Sequence, residues 1–135
     1  MKCDRKAERV LWNYMPNVKR VEKYRVKYEE LVSVRGQDYG AHVVNGVSDP
    51  VLEVAHRKIE LDKKIKTLER EIRAVEVLKD SLPLDELNTY QMSGILRKRY
   101  IEHKRADIVM RELGITKTTY YRRKNELIER AEEYV

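Results

Sequence analysis

Apolar residues recur at every third or fourth position along most of the chain, and this spacing predicts an all-α protein. The first such pattern covers residues 4–14, with apolar positions at Ala7, Val10, Leu11 and Tyr14. A second pattern follows Pro16, with positions at Val18, Val21, Tyr24, Tyr28 and Leu31. Because proline fits the first turn of a helix, the pattern leaves open one kinked helix or a pair of helices.

The longest regular pattern begins at Pro50 and ends before Pro83. Asp49 is placed to cap its first amides, and Pro83 excludes its own predecessor from helical geometry. Between them runs a heptad seam of more than four repeats: Val51, Val54, Lys58, Leu61, Ile65, Leu68, Ile72, Val75, Lys79 and Leu82. The intervening residues 35–48 contain three glycines and predict a connecting loop.

The heptad seam needs a partner, and two partners satisfy it. Residues 5–32 of the same chain would form a helical hairpin, whereas a second copy would form a homodimeric coiled coil. We favour packing within the chain, because the N-terminal apolar stripe also needs cover. The predicted organisation is a helical-hairpin or coiled-coil region over residues 1–83, followed by a helix-turn-helix domain over residues 84–135.

The C-terminal segment reads as a helix-turn-helix. Asp85 is a candidate cap for its first helix, and Gly114 supplies the backbone freedom that a tight corner between two helices requires. The predicted core positions around this corner are Val109, Leu113, Ile115, Tyr120 and Leu127. Tyr120 precedes Leu127 by two helical turns, so it should face inward and leave Tyr121 on the open side.

The second helix of this motif carries side chains suited to DNA. Thr116 stands where the N-cap of this helix is expected, and the first turn has lysine and threonine where a helix selected for stability alone would more often carry acids. We expect contacts to base edges from Lys117, Thr118, Tyr121 and Arg122, with Asn125 on the same face. We expect contacts to phosphates from Thr116, Thr119, Lys124 and either Arg97 or Lys104.

Composition supports this interpretation and argues against others. The formal net charge is +6, and residues 91–125 hold ten basic and three acidic side chains, so the excess is concentrated near the motif. The single cysteine, Cys3, excludes an internal disulfide, and no apolar run reaches the length of a signal peptide or a membrane span. We therefore expect a cytoplasmic protein without membrane partners.

No pattern of catalytic residues is present. His42, His56 and His103 lie far apart and lack a partner histidine at metal-ligand spacing. There is no glycine-rich phosphate loop. We expect no enzymatic activity, no metal and no cofactor.

Three stretches together resemble the RinA/ArpU-type phage transcriptional regulators, which are similar in their C-terminal part to region 4 of bacterial sigma factors. These stretches are Ser48-Asp49-Pro50 before the long helix, the run from Leu96 to Tyr100, and the run from Leu113 to Lys124. The resemblance covers roughly residues 48–131. It implies a late-gene activator of a phage or prophage that acts on promoter DNA in a bacterial host, with host RNA polymerase as a candidate partner.

One residue departs from the sigma-like pattern. Arg123 stands where an apolar residue usually closes the core. Either the helix is rotated, or the methylene stem of Arg123 lies along the core.

Two alternatives to a regulator fit the same elements. A coiled-coil scaffold protein would use residues 50–82 and bind DNA only weakly through its basic end. A packaging protein of the small-terminase kind also joins a helix-turn-helix to helical hairpins. Site preference on DNA separates the regulator from the scaffold, and ring formation identifies the packaging protein.

Overall fold

A computed structural model describes residues 5–37 and 50–135, and this part of the chain is helical without any strand. The α-helices are α1 (Lys6–Trp12), α2 (Tyr14–Gln37), α3 (Pro50–Asp80), α4 (Leu87–Ile95), α5 (Ala106–Leu113) and α6 (Lys117–Glu132). A π-helical segment, Leu96–Ile101, directly follows α4. The all-α prediction is confirmed. Among the described helices, none combines the length and apolarity needed to cross a bilayer.

The N-terminal pattern forms two helices, and the break falls at Asn13 rather than at Pro16. Pro16 is the third residue of α2, where a missing amide hydrogen costs no helical hydrogen bond. The side chain of Asn17, which is buried, donates a hydrogen bond to Glu71 Oε2 at 3.0 Å. The start of α2 is thereby joined to the C-terminal part of α3.

The chain divides into two compact units. The terminal unit combines the chain up to Asn17 with Arg70–Val135, and the hairpin unit comprises the described residues between Val18 and Glu69. This division differs from the boundary predicted after residue 83. The predicted boundary assumed that the N-terminal helix would pair with the long helix alone.

In the hairpin unit, α2 packs antiparallel to α3. Arg25 pairs with Glu69 at 2.6 Å, while the amines of Lys64 and Lys58 lie near the rings of Tyr24 and Tyr28. Position numbers fall along α3 as they rise along α2, which defines the antiparallel direction. Val21 and Ile65 are the buried apolar residues of this unit. The seam of α3 therefore finds a partner within the chain.

The terminal unit holds the main hydrophobic core, and helices distant in sequence build it. Helix α1 contributes Ala7, Val10 and Leu11. The remaining core residues are Val75, Leu78, Leu82, Met92, Ile95, Leu96, Tyr100, Val109, Tyr120, Leu127, Ile128 and Ala131. Val109, Tyr120 and Leu127 were predicted as core positions and are confirmed as fully buried. Leu113 and Ile115 are half-buried against this cluster.

Several predicted details are corrected. In the terminal unit the buried positions of α3 are Ala74, Val75 and Leu78, whereas Lys79 is exposed, because the helix here faces a broad core rather than a single partner helix. Helix α4 begins after Glu86, so Asp85 is not its cap. The predicted loop starts too early, since α2 continues to Gln37. The rest of that loop, including His42, lies outside the described residues. Cys3 and the predicted cap Asp49 lie outside them as well.

The role of α1 can be tested by one leucine substitution. Leu11 is 1% exposed, so Leu11→Ala should lower the free energy of unfolding by about 2–5 kcal/mol through lost burial and a cavity. Leu87, which is 69% exposed, provides the matched control: Leu87→Ala should change it by less than about 0.5 kcal/mol. Urea unfolding followed by the fluorescence of Trp12 measures both variants. Equal effects would contradict the placement of α1 in the core.

Candidate nucleic-acid interface

The corner between α5 and α6 is a Schellman motif, the glycine-terminated helix end in which two amides fold back onto the last turn. Gly114 has φ 64° and ψ 37°, the left-handed conformation. Its amide donates a hydrogen bond to the carbonyl oxygen of Arg111 at 3.3 Å, and the amide of Ile115 donates one to the carbonyl oxygen of Met110 at 3.1 Å. These bonds fix the direction in which the chain leaves α5.

Helix α6 begins at Lys117, two residues after Ile115. Thr116 is its N-cap, and the threonine hydroxyl accepts a hydrogen bond from the amide of Thr119 at 3.3 Å. The same hydroxyl lies 3.1 Å from the hydroxyl of Thr119. The predicted cap at Thr116 is confirmed. Both threonine hydroxyls are thus partly engaged in ending the turn, which orients the first exposed turn of α6.

One side of α6 is open to solvent, and its residues are those that the sequence predicted for DNA. This open face comprises Lys117, Thr118, Tyr121, Arg122 and Asn125, all exposed. Tyr121 is 42% exposed and Tyr120 is 1% exposed, so the predicted split between these two neighbours is confirmed. No acidic side chain lies between Lys117 and Asn125. The open face is therefore cationic and rich in hydrogen-bond donors.

Arg123 does not belong to the open face. Its side chain is 13% exposed, and its guanidinium donates to Gln91 Oε1 at 3.0 Å and to Glu126 at 2.9 and 3.0 Å. The arginine lies along the side of α6 that faces α4. Of the two alternatives left by the sequence, the structure supports an arginine stem along the core and an unrotated helix.

Lys124, predicted to contact phosphate, is held by α1 instead. Its side chain is 16% exposed, and its amine lies 3.3 Å from Glu8 Oε2. The same carboxylate oxygen accepts a hydrogen bond from the Tyr100 hydroxyl at 2.7 Å. Burial and this hydrogen bond raise the pKa of Tyr100, which keeps the phenol protonated as a donor. A buried carboxylate thus joins α1, the π-helical segment and α6.

Lys104 is also paired. Its amine lies 2.8 Å from Glu112 and 3.2 Å from Glu102. The hydrogen bond to Glu112 is the main reason that the pKa of Lys104 is raised. Arg97 is more exposed and lies 3.9 Å from Glu102 at the edge of the same cluster. The structure therefore brings the five residues of the open face together, and it places Arg97 and Lys104 in a separate ion-pair cluster.

Glu8 and Gln91 were not predicted as partners of α6. Both residues are polar members of amphipathic helices, and their role depends on which helices meet in the terminal unit. Glu8 sits on the apolar side of α1, between Ala7 and Leu11. An acidic residue on an apolar face was the available signal, because a buried carboxylate requires a partner.

Residues 42–132, more than half of the chain, match the sequence model of a family described as Protein of unknown function (DUF1492). The match includes the whole of α5 and α6 but excludes α1. Comparisons with curated proteins and with solved structures gave no match.

The Schellman turn yields a stability prediction. Gly114→Ala should lower the free energy of unfolding by about 1–2 kcal/mol, because alanine is strained in the left-handed region. A Cβ atom there would meet nothing within 4 Å, so the cost is purely one of backbone conformation. Gly114→Asn should recover part of the loss, since asparagine tolerates this conformation. Thermal unfolding of the three proteins tests the order glycine, asparagine, alanine; an alanine variant as stable as the parent would contradict it.

Proposed function

The chain belongs to the family described as Protein of unknown function (DUF1492), and we propose that it is a sequence-specific double-stranded DNA-binding protein that regulates transcription. The observation that carries the proposal is the open face of α6. It presents two cations, a threonine, a tyrosine and an asparagine on one exposed helix side that follows a fixed turn. This is the arrangement by which a recognition helix reads DNA.

The dimensions and chemistry of the major groove suit such a helix. The groove admits an α-helix, and its base edges offer acceptors to arginine and lysine and a donor–acceptor pair to asparagine. In this proposal Arg122 and Asn125 read bases in the middle of the contact, and Lys117 and Thr118 contact bases at the N-terminal end. Tyr121 packs its ring against the groove, where a thymine methyl group offers an apolar contact.

Contacts to phosphate complete the proposed interface. The N-terminus of α6 carries no acid in its first turn, so its amide dipoles favour a phosphate there. The hydroxyls of Thr116 and Thr119 lie at that end and can add hydrogen bonds. Arg97 is the exposed arginine of the adjoining cluster and serves as a second phosphate contact. Lys104 and Lys124 are left out of this set because their side chains are less exposed than that of Arg97 and lie closer to their carboxylates, at 2.8 and 3.3 Å against 3.9 Å.

The more specific biological role in this proposal follows from the resemblance to RinA/ArpU-type phage regulators. We propose that the protein acts in the cytoplasm of a bacterial host as a late-gene activator of a phage or prophage, with host RNA polymerase as its protein partner. Promoter-driven transcription with purified host polymerase, with and without the protein, tests activation directly.

Selection of bound duplexes from a random pool tests DNA recognition. A regulator should enrich one motif and bind it about 10³- to 10⁷-fold more tightly than random duplex. Uniform weak binding would indicate a scaffold protein, and a ring-shaped oligomer in light scattering would indicate a packaging protein. Absence of DNA binding at 50 mM salt would exclude the proposal.

Two adjacent arginines provide a matched test of the interface. Arg122→Ala should weaken binding to the selected site by about 1–3 kcal/mol and leave stability unchanged, because Arg122 is exposed. Arg123→Ala removes the same charge but should lower the free energy of unfolding by about 1 kcal/mol or more, since it breaks the bonds to Gln91 and Glu126. Fluorescence anisotropy and urea unfolding measure the two effects. If both substitutions reduced affinity equally and left stability intact, the open face would be misassigned.

A further inference from the structure

Helix α1 places an acid beside the cationic helix of the proposed DNA interface. Glu8 is 6% exposed. Its Oε2 atom accepts a hydrogen bond from the hydroxyl of Tyr100 and lies 3.3 Å from the amine of Lys124. A carboxylate in this position is not needed to fill the core, since an apolar residue between Ala7 and Leu11 would continue the stripe. The acid has one electrostatic consequence: it neutralises a lysine of α6.

Lys124 lies close to the open face. Its amine is 5.7 Å from the centroid of the Tyr121 ring, and Tyr121 is part of that face. A lysine side chain has four rotatable bonds, so without a partner its amine can move past the tyrosine ring to solvent, as lysines on helix surfaces commonly do. The ion pair with Glu8 holds the amine on the α1 side of α6.

We propose that Glu8 limits the strength of the DNA interface, because it keeps Lys124 from contacting phosphate. The inference rests on the proposed function. Phosphate contacts strengthen binding to every sequence equally, whereas base contacts favour one sequence. By holding one cation back, Glu8 lowers the affinity for every duplex by the same factor and leaves the base-reading residues of the open face unchanged.

The position of Glu8 also makes this control separable from the helix-turn-helix itself. Residue 8 lies outside the segment that matches the family, residues 42–132, whereas Lys124 lies within it. Both residues nevertheless lie in the terminal unit, where the ion pair joins them. The N-terminal helix thus supplies an electrostatic adjustment to a DNA-reading helix that other residues define.

Glu8→Gln in the full chain is the main test. The glutamine oxygen still accepts the hydrogen bond from Tyr100, so the substitution removes the charge with little change of shape. Affinity for a random-sequence duplex should rise, and the slope of log affinity against log salt should steepen by about 0.9, the value for one added phosphate contact. This corresponds to about an eightfold greater loss of affinity per tenfold rise in salt. Affinity for the selected site should rise by the same factor, so the ratio of specific to random binding should stay unchanged.

Two further variants separate this effect from a change in net charge. Glu132→Gln removes the same charge from a half-exposed ion pair that joins α6 to Arg5, the residue before α1. Residue 132 lies about 15 Å along the helix from Arg122, beyond the screening length at 0.1 M salt. The salt dependence of DNA affinity in Glu132→Gln should therefore have the same slope as in the parent. Glu8→Gln combined with Lys124→Gln should return the slope to the parent value, because the released amine is gone.

Three results would overturn the inference. The first is an unchanged slope in Glu8→Gln, and the second is a steep slope that persists in the double variant. The third needs only the parent Glu8: if Lys124→Gln alone reduced the slope by about 0.9, Lys124 would already contact phosphate. This last measurement decides the matter even if Glu8→Gln folds poorly. Failure of the proposed function is distinguishable, because the parent protein itself would then bind no DNA.

Discussion

The burial of α1 against the C-terminal helices is the packing interaction on which the terminal unit depends. Helices α4 and α5 have nine and eight residues, and a core built from them and α6 alone would be small for independent stability. Ala7, Val10 and Leu11 add an apolar stripe to that core, and the end of α3 adds Val75 and Leu78. The candidate recognition helix is therefore held in place by packing against α1 and the end of α3 in one shared core.

This packing also decides which charges of α6 are available. Arg123 is turned toward Gln91 and Glu126, and Lys124 is turned toward Glu8, so two of three consecutive basic residues are committed to the protein itself. Arg122 alone of these three is exposed. A basic run in the sequence consequently overstates the charge that a ligand meets. The character of the open face depends as much on neighbouring acids as on the basic residues it contains.

Features set by neighbouring residues could be predicted from the sequence, whereas contacts between distant segments could not. The Gly114 turn, the Thr116 cap and the inward position of Tyr120 were predictable because each depends on neighbours within a few residues. The partner of α1 was not predictable, since its stripe fits the long helix and the C-terminal helices equally well. For the same reason the pairing of Lys124 with Glu8 was missed: it joins residues far apart in the chain.

In the proposed interface, the exposed cations of the open face and the buried acid of α1 together set the electrostatic attraction to DNA. With Lys117 and Arg122 as the cations of the open face, this attraction would be modest for any duplex, and a larger share of the binding free energy would come from base edges and the thymine methyl group. The acid on α1 would then limit how tightly every duplex is bound, whereas the open face would determine which sequence is preferred.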